Sequence, residues 1–133
     1  MDTTTKLTPR EQFLRDILCT AVEGGTNYWA QVDQIRRDGY RPDARVGDPG
    51  FGDWTYIGYT LHDVEGDGEE YVVTVETVKR GLKLLTQDTK IGLRKDLRAA
   101  VMVANISNDA GEIDSEAADC IIQAGIFGEI VYG

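Results

Sequence analysis

The chain has 133 residues, of which 41% are hydrophobic and 28% are charged, a composition typical of one folded domain rather than a disordered chain. Its formal net charge is −9 and its isoelectric point is near 4.5. This charge argues against direct nucleic-acid binding, because contact with a phosphate backbone requires clustered Lys and Arg. The sequence has no apolar leader and no apolar run of about 18 residues. We therefore expect a cytoplasmic protein with no membrane partner.

The first predicted element is a helix that begins at Thr8 and ends at Gly24-Gly25. Thr8 is a suitable N-cap, Pro9 suits the first helical position, and Glu11 completes a capping box. Apolar residues follow at helical spacing from Phe13 to Val22. The glycine pair is expected to end the helix through positive φ angles.

A three-stranded antiparallel meander is predicted next. Alternation from Asn27 to Ile35 indicates the first strand, and residues 38–53 form a long loop rich in Gly and Pro. A second strand runs from Trp54 to Leu61. It enters an acidic turn, Asp63 to Glu70, which we expect to be a solvated hairpin tip, and returns as Tyr71 to Val75.

The rest of the chain is predicted to be helical. Amphipathic spacing marks residues 75–85 and 93–106, and Asp114 is a suitable N-cap for a last helix. The apolar end, residues 126–133, is expected to dock on the core or add a short strand. We therefore predict a single α+β domain over residues 1–133, with a flexible tail at 1–7. Its order is an N-terminal helix, the meander, and about three helices packed on one sheet face.

The junction after the first helix is the leading candidate for a ligand site. Asn27, Tyr28 and Trp29 follow the glycine pair, and a side-chain amide beside two aromatic rings suits a planar ligand. Because neighbouring strand residues point to opposite faces, we expect only one of the two rings to contact a ligand. The alternative is that the glycines only stop the helix and both rings are structural.

The second strand offers further candidates. By alternation, Trp54, Tyr56 and His62 share one face with Gly58, which permits close approach of a ligand or a backbone. The opposite face is expected to be buried, and it consists of Ile57, Tyr59 and Leu61. The exposed face is then a ligand surface or a chance placement of aromatic residues on a sheet.

Arginines concentrate at the start of the long loop. Arg36, Arg37, Arg41 and Arg45 lie in or beside it, interrupted by two aspartates. Guanidinium groups beside an aromatic sheet are suited to clamping a phosphate, so Arg36 and Arg41 join the predicted ligand site. The alternative is a solvated loop whose charges balance an acidic surface.

No metal, cofactor or catalytic site is predicted. His62 and Asp63 would point to opposite strand faces, so they cannot form a relay, and His62 is expected to be a surface residue. Cys19 and Cys120 lie far apart in apolar helical patterns, as buried reduced thiols do. The spacing around Asn108 to Glu116 lacks the oxygen ligands of a calcium loop.

Three segments carry a resemblance to a known family. They are Thr20-Ala21-Val22-Glu23-Gly24-Gly25 with Tyr28-Trp29; Val73-Thr74-Val75-Glu76-Thr77-Val78 with Arg80-Gly81-Leu82; and Ala117-Ala118-Asp119 through Gln123-Ala124 to Phe127-Gly128-Glu129-Ile130-Val131-Tyr132-Gly133. In this combination the chain resembles small proteins encoded by actinobacterial phages and prophages, over most of its length after residue 12. The resemblance implies a setting, a phage gene product in the cytoplasm of the host bacterium, and no particular activity.

Two functions are therefore expected from different classes. The first is a non-enzymatic protein that holds a small planar, phosphorylated ligand, in a phage setting a nucleotide immune signal of the host. The alternative is an acidic inhibitor that occupies a basic site on a host enzyme by imitating nucleic acid. An enzyme ranks third because no catalytic pair is identifiable. The exposed edge of the meander also permits a homodimer.

Overall fold

The computed structural model describes residues 7–39, 43, 45–48, 54–66, 68–87 and 90–132. Within them the order is α1 (Pro9–Thr20), β1 (Ala30–Asp38), β2 (Thr55–Asp63), β3 (Glu70–Thr74), α2 (Val75–Gln87), α3 (Lys95–Ser107) and α4 (Ser115–Phe127). The α+β class, the three-stranded antiparallel sheet and the three following helices are confirmed. The predicted flexible tail, apart from Leu7, and most of the predicted loop at 38–53 lie outside the described residues.

The N-terminus of α1 is formed by the predicted capping box. The hydroxyl of Thr8 accepts from the backbone N–H of Glu11 at 3.1 Å, and the Glu11 carboxylate accepts from the backbone N–H of Thr8 at 3.2 Å. At its other end α1 widens into a single π-helical turn, Ala21–Gly25. Such turns occur frequently at functional sites.

The prediction that the glycine pair adopts positive φ is wrong. Neither Gly24 nor Gly25 is among the described residues with positive φ. Gly25 is required instead because α4 approaches closely: a Cβ there would lie 2.7 Å from the carbonyl oxygen of Ser115, whereas one at Gly24 would lie 3.0 Å from the Ser115 hydroxyl, a tight contact with a side chain that can rotate. The glycines therefore join two elements rather than only ending a helix.

The sheet has the order β1-β2-β3, and every pairing is antiparallel. β1 begins at Ala30 rather than Asn27, because residues 26–29 form a turn in which the backbone N–H groups of Trp29 and Ala30 donate to Thr26. A bulge interrupts β1 between Asp33 and Arg36, and Gln34 there has a φ of 50°.

One contiguous core lies between the sheet and the helices. Tyr59 and Leu61 of β2 are fully buried, whereas Ile57 is 36% exposed, so the predicted buried face is correct for the first two only. α2 and α4 pack closely, because a Cβ at Gly81 would collide with the carbonyl oxygen of Ile121. No helix in the described ranges is both long and apolar enough to span a membrane.

The segment after α4 docks on the core, which was one of the two predictions for it; the other was a short strand. Gly128, with a φ of 76°, ends the helix and turns the chain back. The side-chain oxygen of Gln123 then accepts from the backbone N–H groups of Val131 and Tyr132 at 2.9 and 2.7 Å. Residues 128–132 form no strand. We call them the C-terminal segment.

Candidate functional site

A cleft opens where the π-helical turn, the first half of α4 and the C-terminal segment meet. Its volume is about 340 Å³, which falls within the range of small-molecule pockets. Its lining is mostly apolar, with a few polar groups at one side. The lining residues are Gly24, Gly25, Tyr28, Ser115, Glu116, Asp119, Cys120, Ile130 and Tyr132.

Asp119 of α4 lines this cleft and is only 4% exposed. Its Oδ1 accepts from the indole N–H of Trp29 at 2.8 Å. Its Oδ2 accepts from the Tyr28 hydroxyl at 2.6 Å and from the Gln123 amide at 2.8 Å. A carboxylate offers about four acceptor positions, so Asp119 keeps one for a further donor.

The pKa of Asp119 is raised above the ordinary value of a carboxyl group. Burial is the largest cause, because removal from water disfavours the charged form. The three hydrogen bonds from Tyr28, Trp29 and Gln123 oppose it, and the nearby Glu116 raises the pKa further. A buried carboxyl group with a raised pKa beside a cleft is typical of a functional position.

The outer wall of the cleft is held in place by Tyr132. Its ring stacks on Trp29 with the centroids 5.1 Å apart and the planes 17° from parallel. Its hydroxyl donates to Asp63 Oδ2 at 2.5 Å. This hydrogen bond is the largest cause that raises the pKa of the Tyr132 hydroxyl to about 12. Asp63 is itself buried, so the prediction that the whole acidic turn is solvated is wrong at this residue.

The remaining polar groups of the cleft lie at the N-terminal end of α4. Asp114 caps this helix through the backbone N–H of Ala117 at 2.8 Å, as predicted. Glu116 is exposed, and its Oε1 lies 3.0 Å from a guanidinium nitrogen of Arg94. Among the described residues that line the cleft none is a lysine or an arginine. The cleft therefore favours uncharged or cationic groups over anions.

Of the three predicted residues at the glycine–aromatic junction, Tyr28 alone lines the cleft. Tyr28 is 51% exposed and Trp29 is fully buried, so Trp29 anchors the core and cannot be a direct ligand contact. Asn27 is exposed in the turn, and its amide donates to the carbonyl oxygen of Glu23 at 3.4 Å. Tyr28 is therefore the one ring of this pair that is open to the cleft.

The aromatic residues of β2 lie elsewhere. Tyr56 is 7% exposed, so its predicted place on an exposed face is wrong. Trp54 is half-buried, and its ring meets Tyr56 edge-on at 5.0 Å. The guanidinium of Arg37 covers Trp54 at 5.1 Å from the ring centroid, a cation–π contact. Because Tyr56 turns inward, this group packs against Arg37 rather than presenting a free ring.

His62 and Arg36 lie on the outer face of the sheet. The two ring nitrogens of His62 are 3.4 Å from Asp33 and 3.3 Å from Glu70, on the two neighbouring strands. A Cβ at Gly58 would lie 2.6 Å from the guanidinium of Arg36, so this guanidinium fills the space that was predicted for a ligand. Arg41 lies outside the described residues. The structure thus does not gather the predicted residues into one site.

The most informative polar residues were missed because they lie in an apolar helix. Asp119 and Gln123 are four residues apart, with Ala118, Ile121 and Ile122 around them, and both are buried. Two polar side chains on a buried helical face must be hydrogen-bonded to each other or to a partner. The four-residue spacing of Asp119 and Gln123 within an apolar helix was therefore the sequence pattern that could have indicated this buried polar pair.

The thiols of the chain are poorly suited to chemistry. Cys120 lines the cleft, and Cys19 is half-buried. The pKa of each thiol is raised to about 11, and burial is the largest cause in both cases. In the described part of the chain no three His, Cys, Asp or Glu side chains are placed to hold a metal ion.

Comparisons with known proteins give no relative: no family model, no curated protein and no solved structure matches this chain.

Proposed function

We propose that this protein is a non-enzymatic binding protein whose cleft holds a small planar ligand against Tyr28. The observation that carries the proposal is the cleft itself, with a buried carboxyl group at one side and apolar walls around it. Pockets of this kind bind small molecules through apolar contact and a few convergent polar groups. The raised pKa of Cys120 supports binding rather than nucleophilic catalysis.

The polar groups of the cleft favour a ring that carries N–H donors. Asp119 keeps one acceptor position, and the Glu116 carboxylate is exposed. A nucleobase fits this chemistry, because its ring stacks on an aromatic side chain and its amino group donates to a carboxylate. The ligand class that we propose is therefore a nucleoside or nucleotide with its base in the cleft.

A phosphate on this ligand would have to remain outside the cleft. Glu116 and Asp119 repel an anion, whereas Arg94, whose side chain is 60% exposed, is paired with both Asp96 and Glu116. We propose that Arg94 exchanges one of these carboxylates for the phosphate and is the phosphate contact, in place of the predicted Arg36 and Arg41. The resemblance to phage proteins supplies the rest of the proposal, which is sequestration of a nucleotide immune signal in the host cytoplasm.

The alternative, an acidic inhibitor that imitates nucleic acid, requires carboxylates that are free to face a basic partner. Four of the described carboxylates pair with a cation of this chain instead: Asp38 with Arg15, Glu76 with Lys79, and Asp96 and Glu116 with Arg94. Each pair offsets a charge that an inhibitor would present to its partner, which favours the ligand-binding proposal to that extent.

The test is to purify the protein from infected or expressing host cells, denature it and identify the released small molecules by mass spectrometry. We expect a nucleobase-containing molecule from the wild type and from Val72→Ala, a control on the sheet. We expect its loss from Tyr28→Ala, which removes the ring but only a half-exposed side chain. Wild-type protein that is empty, or a Tyr28→Ala variant that stays loaded, contradicts the proposal.

A further inference from the structure

α3 has apolar residues on two opposite sides. One side packs into the domain through Leu97, Val101 and Ala104, which are buried. The other side faces away from the core. There Met102 is 41% exposed, Val103 is 61% exposed and Ile106 is 82% exposed, with the exposed Ala99 one turn earlier. A helix that is apolar on both sides is normally covered on both sides.

The outer surface of α2 shows what a solvated helix of this protein is like. Every exposed residue of α2, which is described throughout, is polar: Glu76, Lys79, Arg80, Lys83 and Gln87. The same chain therefore places charged residues where a helix faces water and aliphatic residues on α3. Isolated exposed aliphatic residues are ordinary, but a contiguous stripe on one helix indicates an interaction surface.

The spacing of this stripe indicates the kind of partner. Ala99, Met102 and Ile106 follow the alternating three- and four-residue spacing of a helix–helix seam, with Val103 beside it. The pattern is the same from either end, because Ala99 and Ile106 are equally far from the midpoint between Met102 and Val103. In an antiparallel pair of identical helices, the small Ala99 therefore meets the large Ile106, and Met102 meets its own copy.

The charges at the two ends of α3 favour the same arrangement. Lys95 lies at the N-terminal end, on the side of the stripe, whereas Asp109 and Glu112 follow the C-terminal end. By position along the chain, an antiparallel pair brings Lys95 toward the acidic C-terminal end of the partner helix, whereas a parallel pair brings Lys95 beside its own copy.

We propose that the exposed stripe of α3 (Ala99, Met102, Val103 and Ile106) is a homodimer interface in which two copies of the helix pair antiparallel about a two-fold axis. Because α3 has 13 residues and so is about 20 Å long, the interface is small and the dissociation constant should lie roughly in the micromolar range. This inference is independent of the proposed ligand.

The sheet edges, where the sequence had suggested pairing, are less suitable. β1 is interrupted by the bulge between Asp33 and Arg36, and a bulge twists an edge away from a partner strand. β3, the other edge, is only five residues long. We therefore place the proposed homodimer interface on α3 rather than on an edge of the meander.

Sedimentation velocity over a concentration series up to about 1 mM tests the existence and place of the interface. We expect the wild type and Val72→Glu to dimerise alike, because Val72 is as exposed as Val103 but lies on β3. Ile106→Glu should raise the dissociation constant at least about tenfold, since the dimer would bury an unpaired charge. A wild type that stays monomeric, or a dimer lost in Val72→Glu and kept in Ile106→Glu, overturns the proposal.

Disulfide trapping tests the orientation of the two helices. In the antiparallel dimer, Met102→Cys crosslinks to itself, and Ala99→Cys crosslinks to Ile106→Cys when the two variants are mixed. Ala99→Cys alone should not crosslink, because its two Cα atoms would be about 10 Å apart along the helices, beyond the reach of a disulfide. The wild type is the control for Cys19 and Cys120. Crosslinking of Ala99→Cys alone, or none by Met102→Cys, overturns the antiparallel pair.

Discussion

Asp63 and Asp119 both expose little of their surface, but the Asp119 carboxyl group is enclosed more deeply, and the two carboxyl groups titrate in opposite directions from the ordinary value. Burial raises the pKa of each. At Asp63 the hydrogen bonds from Tyr132 and from the backbone N–H groups of Gly66 and Glu65 outweigh burial, so its pKa is lowered. At Asp119 the hydrogen bonds from Tyr28, Trp29 and Gln123 do not outweigh burial, so its pKa is raised.

The difference separates a structural carboxylate from a candidate functional one. Asp63 closes a tight turn with two backbone donors, as capping aspartates do. Asp119 sits between the core and the cleft, where its charge is disfavoured and one acceptor position is left over. Tyr132 links the two regions, because its hydroxyl binds Asp63 and its ring lies on the Asp119 partner Trp29.

The largest expected effect is that of Trp29→Ala. It removes a fully buried ring and leaves Asp119 without its indole donor, so the free energy of unfolding should fall by about 3–5 kcal/mol in urea denaturation. Trp54→Ala is the control, and its loss should be clearly smaller because Trp54 is half-buried. Equal losses would mean that Trp29 has no special place in the core.

Asp119→Asn should destabilise the protein by about 1–3 kcal/mol, because an amide cannot accept from all three donors. A raised native pKa means that the native state holds the proton more tightly than the unfolded state. The stability of the wild type relative to Asp119→Asn should therefore fall as the pH rises above about 4 through the native pKa. Urea denaturation at several pH values measures this difference, and a rise would contradict the raised pKa.

Asp63→Asn should give the opposite pH dependence and a smaller loss, about 1 kcal/mol. Its lowered native pKa stabilises the fold above the ordinary carboxyl pKa, and this stabilisation disappears as the pH falls through the native value. The loss caused by Asp63→Asn should thus be full at neutral pH and vanish in acid. If both aspartate variants show the same slope, the comparison between the two carboxyl groups fails.

Tyr28→Phe should have the smallest effect on stability, less than about 1 kcal/mol, because the side chain is half-exposed and Asp119 keeps its hydrogen bonds from Trp29 and Gln123. Thermal denaturation measures this effect, with Tyr28→Ala as the companion variant. A large loss from Tyr28→Phe would make Tyr28 a structural residue and would remove it from the candidate site.

The sequence predicted what local chemistry determines. The capping box at Thr8, the cap at Asp114 and the helical periods gave the α+β order correctly, because each depends on residues close in the chain. The predicted start of the first strand, Asn27, lies three residues before the observed start at Ala30. The turn that delays it is held by backbone bonds to Thr26, which leave no mark in the alternation of Tyr28 and Trp29.

The candidate site was predicted only in part, because most of it is assembled by tertiary contacts. The glycine pair and Tyr28 line the cleft, but the positive φ angles predicted for the glycines are absent. Asp119 and Tyr132 reach the same cleft from more than 90 residues further along the chain. Alternation also failed for Tyr56, because the register shift between Arg36 and Arg37 passes over Ile57 of β2, and Tyr56 beyond it turns into the core whereas His62 does not.

The indole N–H signals of the two tryptophans in a ¹H–¹⁵N NMR spectrum test the central claim most directly. Trp29 donates to Asp119, so a ligand in the cleft must disturb its signal, whereas Trp54 lies just before β2 and does not line the cleft. Titration with the four common ribonucleosides should shift the Trp29 signal saturably for at least one, leave Trp54 unchanged, and have no effect in Tyr28→Ala. No shift of Trp29, or an equal shift in Tyr28→Ala, would contradict a nucleobase site in this cleft.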